Sequence, residues 1–294
     1  MPNTKAIRHR IKSVKNTGQI TRAMQLVATS KMKRAQEAAI AGQPYILMLG
    51  DILNDLAHHL DHFQHPFFER RSVKRRGILV LSTDKGLCGP LNSNLFKEII
   101  KIKDAAAYVT VGRKAAQFLT RTKREVLADF SISDKVQFHE VRTIVQFLSE
   151  AYLDGKIDTI EVLFPSFLNT LMQEARLSQV VPILDFRKEM EDFFKRLKMQ
   201  LSDSHSDKRE ILIEPSATEI LNELPPTYLR QVVYQMLLSA KASEHSARMV
   251  AMKSATDNAK SLAEDLTLQY NKARQAAITQ EILEIAAATA SHGR

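Results

Sequence analysis

The chain has 294 residues, 42 Lys and Arg against 33 Asp and Glu, and a formal net charge of +9. With 44% hydrophobic and 26% charged residues and no biased tract, it can bury a real core and matches neither a disordered nor a collagen-like chain. No apolar run approaches the roughly 18–20 residues of a membrane span, residues 1–40 lack the apolar core of a secretory signal, and the single cysteine, Cys88, excludes an internal disulfide framework and suits a reducing cytoplasm.

The N-terminal arm carries an apolar seam at alternating steps of four and three: Ile7, Ile11, Val14, Gly18, Thr21, Gln25, Ala28, Met32, Ala35, Ala39, Gly42, Ile46, Leu49, Leu53, Leu56 and Leu60. A narrow stripe sustained this long is the pattern of a coiled coil rather than of a helix lying on a globule. The small residues at 18, 28, 35, 39 and 42 require a partner helix close by, and Pro44 should kink or interrupt the helix. Around the end of this helix, His58 and His62 lie four apart, with Asp55 one turn before and His65 one turn after. That spacing could hold zinc or nickel; a helix C-terminus stopping at Pro66 accounts for the same residues, and no metal is assigned.

All 13 Phe lie between Phe63 and Phe194, so the middle of the chain is expected to be the globular layer structure. Gly77–Thr83 reads as a buried strand, followed by a turn and a helix near Leu91–Lys103. A strand at Ala107–Val111, a helix at Arg113–Arg121, a strand at Val126–Phe130, a helix around Val141–Leu153 and a strand at Ile157–Phe164 continue the alternation. Further strands are expected at Gln179–Leu184 and Ile211–Glu214, and Lys198–Arg209 reads as an exposed loop. Alternating strands and helices predict a Rossmann-like α/β domain with a mainly parallel sheet covered on both faces.

The turn Asp84-Lys85-Gly86-Leu87-Cys88-Gly89-Pro90 supplies neither a dinucleotide fingerprint nor a phosphate loop, because Lys85 precedes its glycine. Cys88, between Gly86 and Gly89, fits a packed turn residue, and no nucleophile, base and orienting group are legible together. No catalytic residue and no cofactor are assigned.

From Thr227 to His292 there are 66 residues without Gly or Pro, on the order of 100 Å of helix. Its seam reads Leu229, Val233, Met236, Ala240, Ser243, Ala247, Ala251, Ala255, Ala259, Leu262 and Leu266, and the three steps of four from Ala247 to Ala259 depart from the heptad. The economical arrangement pairs the two arms antiparallel, which divides the chain into an N-terminal helix (1–65), a globule (66–225) and a C-terminal helix (226–294). The last turns, with Ile278, Ile282 and Ile285 among alanines, are apolar nearly all round, which favours enclosure by another protein over a frayed end.

Residues 1–40 carry nine Lys or Arg and one acid, Glu37. DNA is the weaker candidate for the polyanion this implies, because the apolar seam runs straight through the basic stretch and no aromatic residue precedes Tyr45. An acidic protein surface fits better, and a coiled-coil adaptor for such a partner is one reading of these features.

The residues also resemble a known family over essentially the whole chain, the gamma subunit of the rotary F-type ATP synthase. The resemblance rests on Ile20-Thr21-Arg22-Ala23-Met24 through Ala28-Thr29-Ser30-Lys31-Met32, on Ser82-Thr83-Asp84-Lys85-Gly86-Leu87-Cys88-Gly89, and on the run from Ala247-Arg248-Met249 to Tyr270-Asn271-Lys272-Ala273-Arg274-Gln275 and Ile278-Thr279-Gln280-Glu281. It implies an antiparallel coiled coil threaded through a ring of about three alpha and three beta subunits, above a globule touching the epsilon subunit and the membrane c-ring. Such a chain is a non-catalytic central-stalk rotor, not a homo-oligomer, and couples ion flow to ATP synthesis and hydrolysis on the beta subunits. Arg22, Met24 and Lys31 would face the acidic lever loop of the beta subunits, with Lys85 in the same basic track. Arg248, Gln275 and Thr279 would meet the collar and catch loops, and Ile278, Ile282 and Ile285 would form the apolar bearing. A plant-type redox insert is absent, and the start at Met1 points to a bacterial chain on the cytoplasmic face of the inner membrane.

Overall fold

The computed structural model describes residues 4–59, 65–183 and 217–292. They form helix α1 (Thr4–His59), a 3-10 turn (Pro66–Phe68), β1 (Arg76–Leu81), α2 (Leu91–Lys101), β2 (Ala106–Val111) and α3 (Arg113–Arg121). There follow β3 (Val126–Phe130), α4 (Phe138–Leu153), β4 (Thr159–Phe167), β5 (Gln173–Val181) and α5 (Ala217–His292). The chain divides into two compact units: Met1–Ala28 with Met249–Arg294, and Thr29–Arg248. Both α1 and α5 contribute to each.

In the larger unit, a five-stranded sheet has the order β3-β2-β1-β4-β5. Four strands are parallel; β5 returns antiparallel to β4, with Phe167 opposite Gln173. The apolar run of β1 is buried on both sides, as a central parallel strand must be. Ile78 and Val80 point to one face, where Leu95 and Ile99 of α2 and Ala115 and Leu119 of α3 cover them. Leu79 and Leu81 point to the other, against Ile144 and Leu148 of α4, Ile46 and Leu49 of α1 and Leu229, Val233 and Met236 of α5. The long helices therefore supply part of this core, and their seam residues here are core residues. Gln235 Nε2 ties them together by donating to Ala39 O at 2.6 Å.

The expected elements recur with shifted ends. Helix α4 starts earlier than expected, at Phe138, because Glu140 Oε2 accepts the Gln137 amide at 2.9 Å and closes its first turn. The strand expected at Gln179–Leu184 is the end of β5, which begins at Gln173, and its antiparallel course comes from a short hairpin rather than a crossover helix. Helix α1 runs through Pro44 as one element, and α5 starts ten residues before Thr227 and includes Pro225 and Pro226. The expected strand at Ile211–Glu214 and the loop at Lys198–Arg209 lie outside the described residues.

In the smaller unit, α1 and α5 form an antiparallel pair. Gly18 lies against Ala259, and three residues on, Thr21 meets Thr256, three residues back. A Cβ at Gly18 would come within 3.3 Å of the Ala259 Cβ, so glycine sets the helix separation there. The hydroxyls of Thr21 and Thr256 are 2.8 Å apart, and each also reaches a carbonyl of its own helix, Gly18 O at 3.0 Å and Met252 O at 2.8 Å. With one proton each, one hydroxyl donates to the other and the second donates to its carbonyl, so this polar layer is satisfied inside the seam.

Along α1 the seam positions Ile7, Ile11, Val14, Gly18, Thr21, Gln25 and Ala28 are covered, as the spacing predicts, with Met24 beside Gln25 half-covered too. Along α5 the seam differs from expectation. Leu262 is 42% exposed and Ala263 is buried in its place. The covered positions Met252, Thr256, Ala259, Ala263, Leu266, Tyr270, Ala273 and Ala277 keep a regular four-three step. The expected alanines at 251 and 255 are half-covered beside this row, and the larger side chains of Met252 and Leu266 fix its phase.

Candidate partner-binding surfaces

The turn from β1 into α2 sits where the strand order reverses between β1 and β4, the place where open α/β sheets leave a crevice. Here its first residues are engaged in building the fold. The N-cap of helix α3 is Gly112, which offers no capping side chain. Its orphan amides are satisfied from the turn instead. The Ala115 amide donates to Ser82 Oγ at 2.9 Å, the Lys114 amide to Thr83 O at 3.1 Å, and the Arg113 amide to Asp84 Oδ1 at 3.1 Å. Gly112 has φ +94°, and any Cβ there would collide with the Ser82 carbonyl.

Thr83 Oγ1 donates to Lys85 O and accepts from Asn92 Nδ2, both at 2.8 Å, while Asn92 Nδ2 also lies 3.4 Å from the buried Cys88 Sγ. Cys88 is thus a packing residue in a small cluster with Leu91 and Ala247. What the turn presents outward is Lys85, Gly86 and Leu87. Leu87 is 59% exposed with φ +63°, an unusual backbone for a leucine and an unusual place to leave one.

Arg248 of α5 holds this turn from behind. Its Nη2 lies 3.4 Å from both Lys85 O and Gly86 O, and 2.8 Å from Glu244 Oε1. Glu244 Oε2 meets Lys241 Nζ at 3.3 Å. All three side chains are buried, so one carboxylate compensates two cations away from water. His245 Nδ1 lies 3.4 Å from Arg248 Nη1. Burial pushes the His245 imidazole down to about 4, so at neutral pH it is uncharged and its Nδ1 can accept from the guanidinium. Lys31 of α1 pairs with Asp134, and that contact, together with the nearby Lys241 charge, holds the Asp134 carboxyl below the usual range.

The residues singled out from the sequence fall in different surroundings. In the larger unit, Lys85 is exposed, Lys31 is half-buried on Asp134, and Arg248 is turned inward onto the Lys85–Gly86 carbonyls. In the smaller unit, Arg22 is exposed and Met24 half-covered. Gln275 and Thr279 are exposed one turn apart, with Thr279 Oγ1 donating to Gln275 O at 2.9 Å. Continuing the Gly18–Ala259 register to Thr4, where α1 begins, puts Ala273 opposite it. Beyond that point α5 goes on, with Ile278, Ile282, Leu283 and Ile285 exposed.

Sequence reasoning missed two groups. Glu244, Lys241 and His245 were overlooked, although Glu244 four residues before Arg248 is a legible helix pair. Ile20, Leu26 and Val27 were also missed. They are apolar yet off the seam, and more than half exposed, which is the pattern of a contact face. Of the histidines weighed as metal ligands, the side chains of His58 and His62 lie outside the described residues. His65 Nδ1 accepts the Phe67 amide at 3.1 Å and caps the 3-10 turn. No helix among the described residues is long and apolar enough to cross a membrane.

The family described as ATP synthase matches residues 3–291. Among similar chains, the ATP synthase gamma chain of Opitutus terrae is 51% identical over 98% of each chain. That of Methylacidiphilum infernorum is 44% identical over the full length of both, and that of Akkermansia muciniphila is 40% identical over 98% of each. Among solved structures, a chain of the Euglena gracilis mitochondrial ATP synthase (OSCP/F1/c-ring, rotational state 3) matches with a TM-score of 0.67 at 15% identity, over 98% of this chain and 94% of that one. A chain of the Tetrahymena thermophila central stalk and c-ring matches with a TM-score of 0.59 at 23% identity, over 80% of this chain and 99% of that one. The full-length identity, carried on an antiparallel coiled coil and a mainly parallel sheet, means that the chain belongs to the ATP synthase gamma-chain family.

Proposed function

We propose that this chain is the central-stalk rotor of a bacterial ATP synthase, turning inside a ring of alpha and beta subunits. It would be driven by a membrane c-ring and accompanied by an epsilon subunit. The observation that carries this reading is the 51% identity to a gamma chain over nearly its whole length. In this account the chain is non-catalytic: bond making between ADP and phosphate occurs on the beta subunits, and this chain imposes their order. It sits peripherally on the cytoplasmic face of the inner membrane.

The physical requirements of that role match the chain's chemistry. Torque needs an element that resists bending, and two long helices with small residues at the seam pack closely enough to resist as one body. Rotation needs contacts that break and re-form, and exposed isoleucines at 278, 282 and 285 allow an apolar collar to slide past without fixed ion pairs to strip. Arg22, Met24, Lys31 and Lys85 are proposed to face the acidic lever loop of the beta subunits, and Gln275 and Thr279 the collar. For Arg248 the geometry favours an indirect role, holding the turn that presents Lys85. Segments 1–65, 66–225 and 226–294 would then act as inner shaft helix, foot and outer shaft helix.

The test is purification of this chain from solubilised membranes followed by intact-complex mass spectrometry. Two nucleotide-binding subunits in roughly threefold excess are expected. Recovery of only self-associated chain would refute the rotor reading and favour a coiled-coil adaptor.

A further inference from the structure

In the larger unit, α1 turns Ile46 and Leu49 into the core, yet its opposite side is apolar as well. From Ala38 to Gly50 the helix carries no charge, over 13 residues between Glu37 and Asp51. Ile40 is 55% exposed, Tyr45 53%, Met48 65% and Ile52 38%, with the exposed Pro44 among them. At roughly 100° per residue these side chains share an arc of about 140° facing away from Ile46 and Leu49, and extend about 18 Å along the axis. A helix that is apolar on both sides is normally covered on both.

The chain itself carries a segment that fits this face. Residues 184–216, between β5 and α5, contain Phe186, Met190, Phe193, Phe194, Leu197 and Leu201. On a helix that spacing puts all six within an arc of about 100°. Eight charged residues fill the other positions from Phe186 to Leu201, apart from Met199 and Gln200. Such a helix is about 22 Å long, against about 18 Å for the α1 face. The described residues on either side of the segment also start in the right place. Ile183, just before it, is buried in the core cluster that contains Ile46 and Leu49, and donates its amide to Phe67 O at 2.8 Å. Ile220, just after it, packs against the same cluster. Phe186 follows Ile183 by three residues, about 10 Å of extended chain and the width of a helix. The 15 residues from Ser202 to Ser216 leave slack for the return to α5.

We propose that residues 186–201 form an amphipathic helix that docks on the outward face of α1, over Ile40, Tyr45, Met48 and Ile52. The tether holds this segment near the face at an effective concentration of about millimolar, so it outcompetes an untethered apolar partner, a second copy of the chain included. An anionic lipid surface suits the face less, because the charges that bracket it on α1, Glu37 and Asp51, are both acidic. The docked segment braces α1 around Pro44, where the helix lacks one backbone hydrogen bond.

Cys88 is buried, so introduced cysteines can be spin-labelled selectively. In the full chain with Glu37→Cys and Lys195→Cys, electron–electron double resonance should give one narrow distance below about 30 Å, the span of two packed helices of these lengths. Singly labelled chains mixed in equal parts should not give that distance. Met48→Glu and Phe194→Glu each place a charge in the contact. Either should broaden the distribution and, in the unlabelled chain, speed tryptic cleavage at Lys195, Arg196 and Lys198 about tenfold. Ile100→Glu, at a position 60% exposed on α2, should change neither. Met48 is itself exposed, so its variant should keep the fold, as circular dichroism would show. A broad distribution in the doubly labelled chain, or one that Met48→Glu leaves unchanged, would overturn the proposal. The same distance between singly labelled chains would overturn it too and assign the face to a second copy. The rotor reading is independent of these outcomes.

Discussion

Glu244 is the single acid in a buried group with Lys241 and Arg248, at 3.3 and 2.8 Å, with side-chain exposure of only 7%. Replacing it with alanine leaves two buried cations without a counter-charge, and losing one partner of such a group costs about 3–5 kcal/mol. At roughly 2 cal/mol/K of unfolding entropy per residue, a unit of the size of Thr29–Arg248 would melt about 7–11 °C lower. Glu244→Gln keeps one acceptor oxygen for Arg248 and should lose less. The double variant Glu244→Ala with Arg248→Ala should be more stable than the sum of the two singles implies, because removing the guanidinium also removes the charge that Glu244→Ala strands. Thermal and urea unfolding of the purified chain, followed by circular dichroism, measures both. A loss below about 1 kcal/mol in Glu244→Ala, or strict additivity in the cycle, would refute the claim that this carboxylate anchors Arg248 and the Lys85 turn.

Three further outcomes are expected. Gly112→Ala should cost about 1–3 kcal/mol in urea unfolding or more, since φ +94° strains any Cβ and the Ser82 carbonyl blocks it; a neutral result would show that α3 is not capped as described. His245, facing Glu244, Lys241, Arg248 and more distantly Asp134, has a folded pKa of about 4 against an ordinary 6.5, so the unfolded chain takes up its proton first as pH falls. Stability should decline between pH 6.5 and about 4, and His245→Gln should flatten that decline, as pH-dependent melting would reveal. Ala251→Pro removes one helix hydrogen bond and drives a ring into the Ala247 carbonyl, at a cost of about 3 kcal/mol. Normal assembly and full coupling in that variant would contradict a continuous α5 as the torque-bearing element.

The fold was legible where periodicity and packing agree. The α1 seam from Ile7 to Leu49 is also its covered face, because Ile7, Ile11 and Val14 at one end, Met32 in the middle and Ile46 and Leu49 at the other fix its phase. In α5 the alanine row around residue 251 carries less such information, and the sequence spacing puts the seam at Leu262, one residue before the buried Ala263. The antiparallel course of β5 was not legible because an apolar strand reads alike in either direction; the hairpin loop after Phe167 sets it. At the surface, Lys85 stands out from its motif, but the roles of Ser82, Thr83 and Asp84 in capping α3 depend on residues 29 to 33 positions away. The motif of Arg248 points to the collar and catch loops, while its burial beside Glu244 and its reach to the Lys85 and Gly86 carbonyls depend on the folded turn. Ile20 and Val27 are apolar, off the seam and more than half exposed, a signal that needs the seam to be known first.

A central-stalk rotor must turn. Cys88 is buried, so Lys103→Cys provides an exposed thiol on this chain to which a fluorescent rod or bead can be attached in the intact complex, immobilised through its alpha and beta subunits. On addition of ATP, single-molecule imaging should show rotation in one direction, pausing every third of a turn as each catalytic site fires. ATP hydrolysis at a normal rate with the probe stationary or moving randomly would contradict the account.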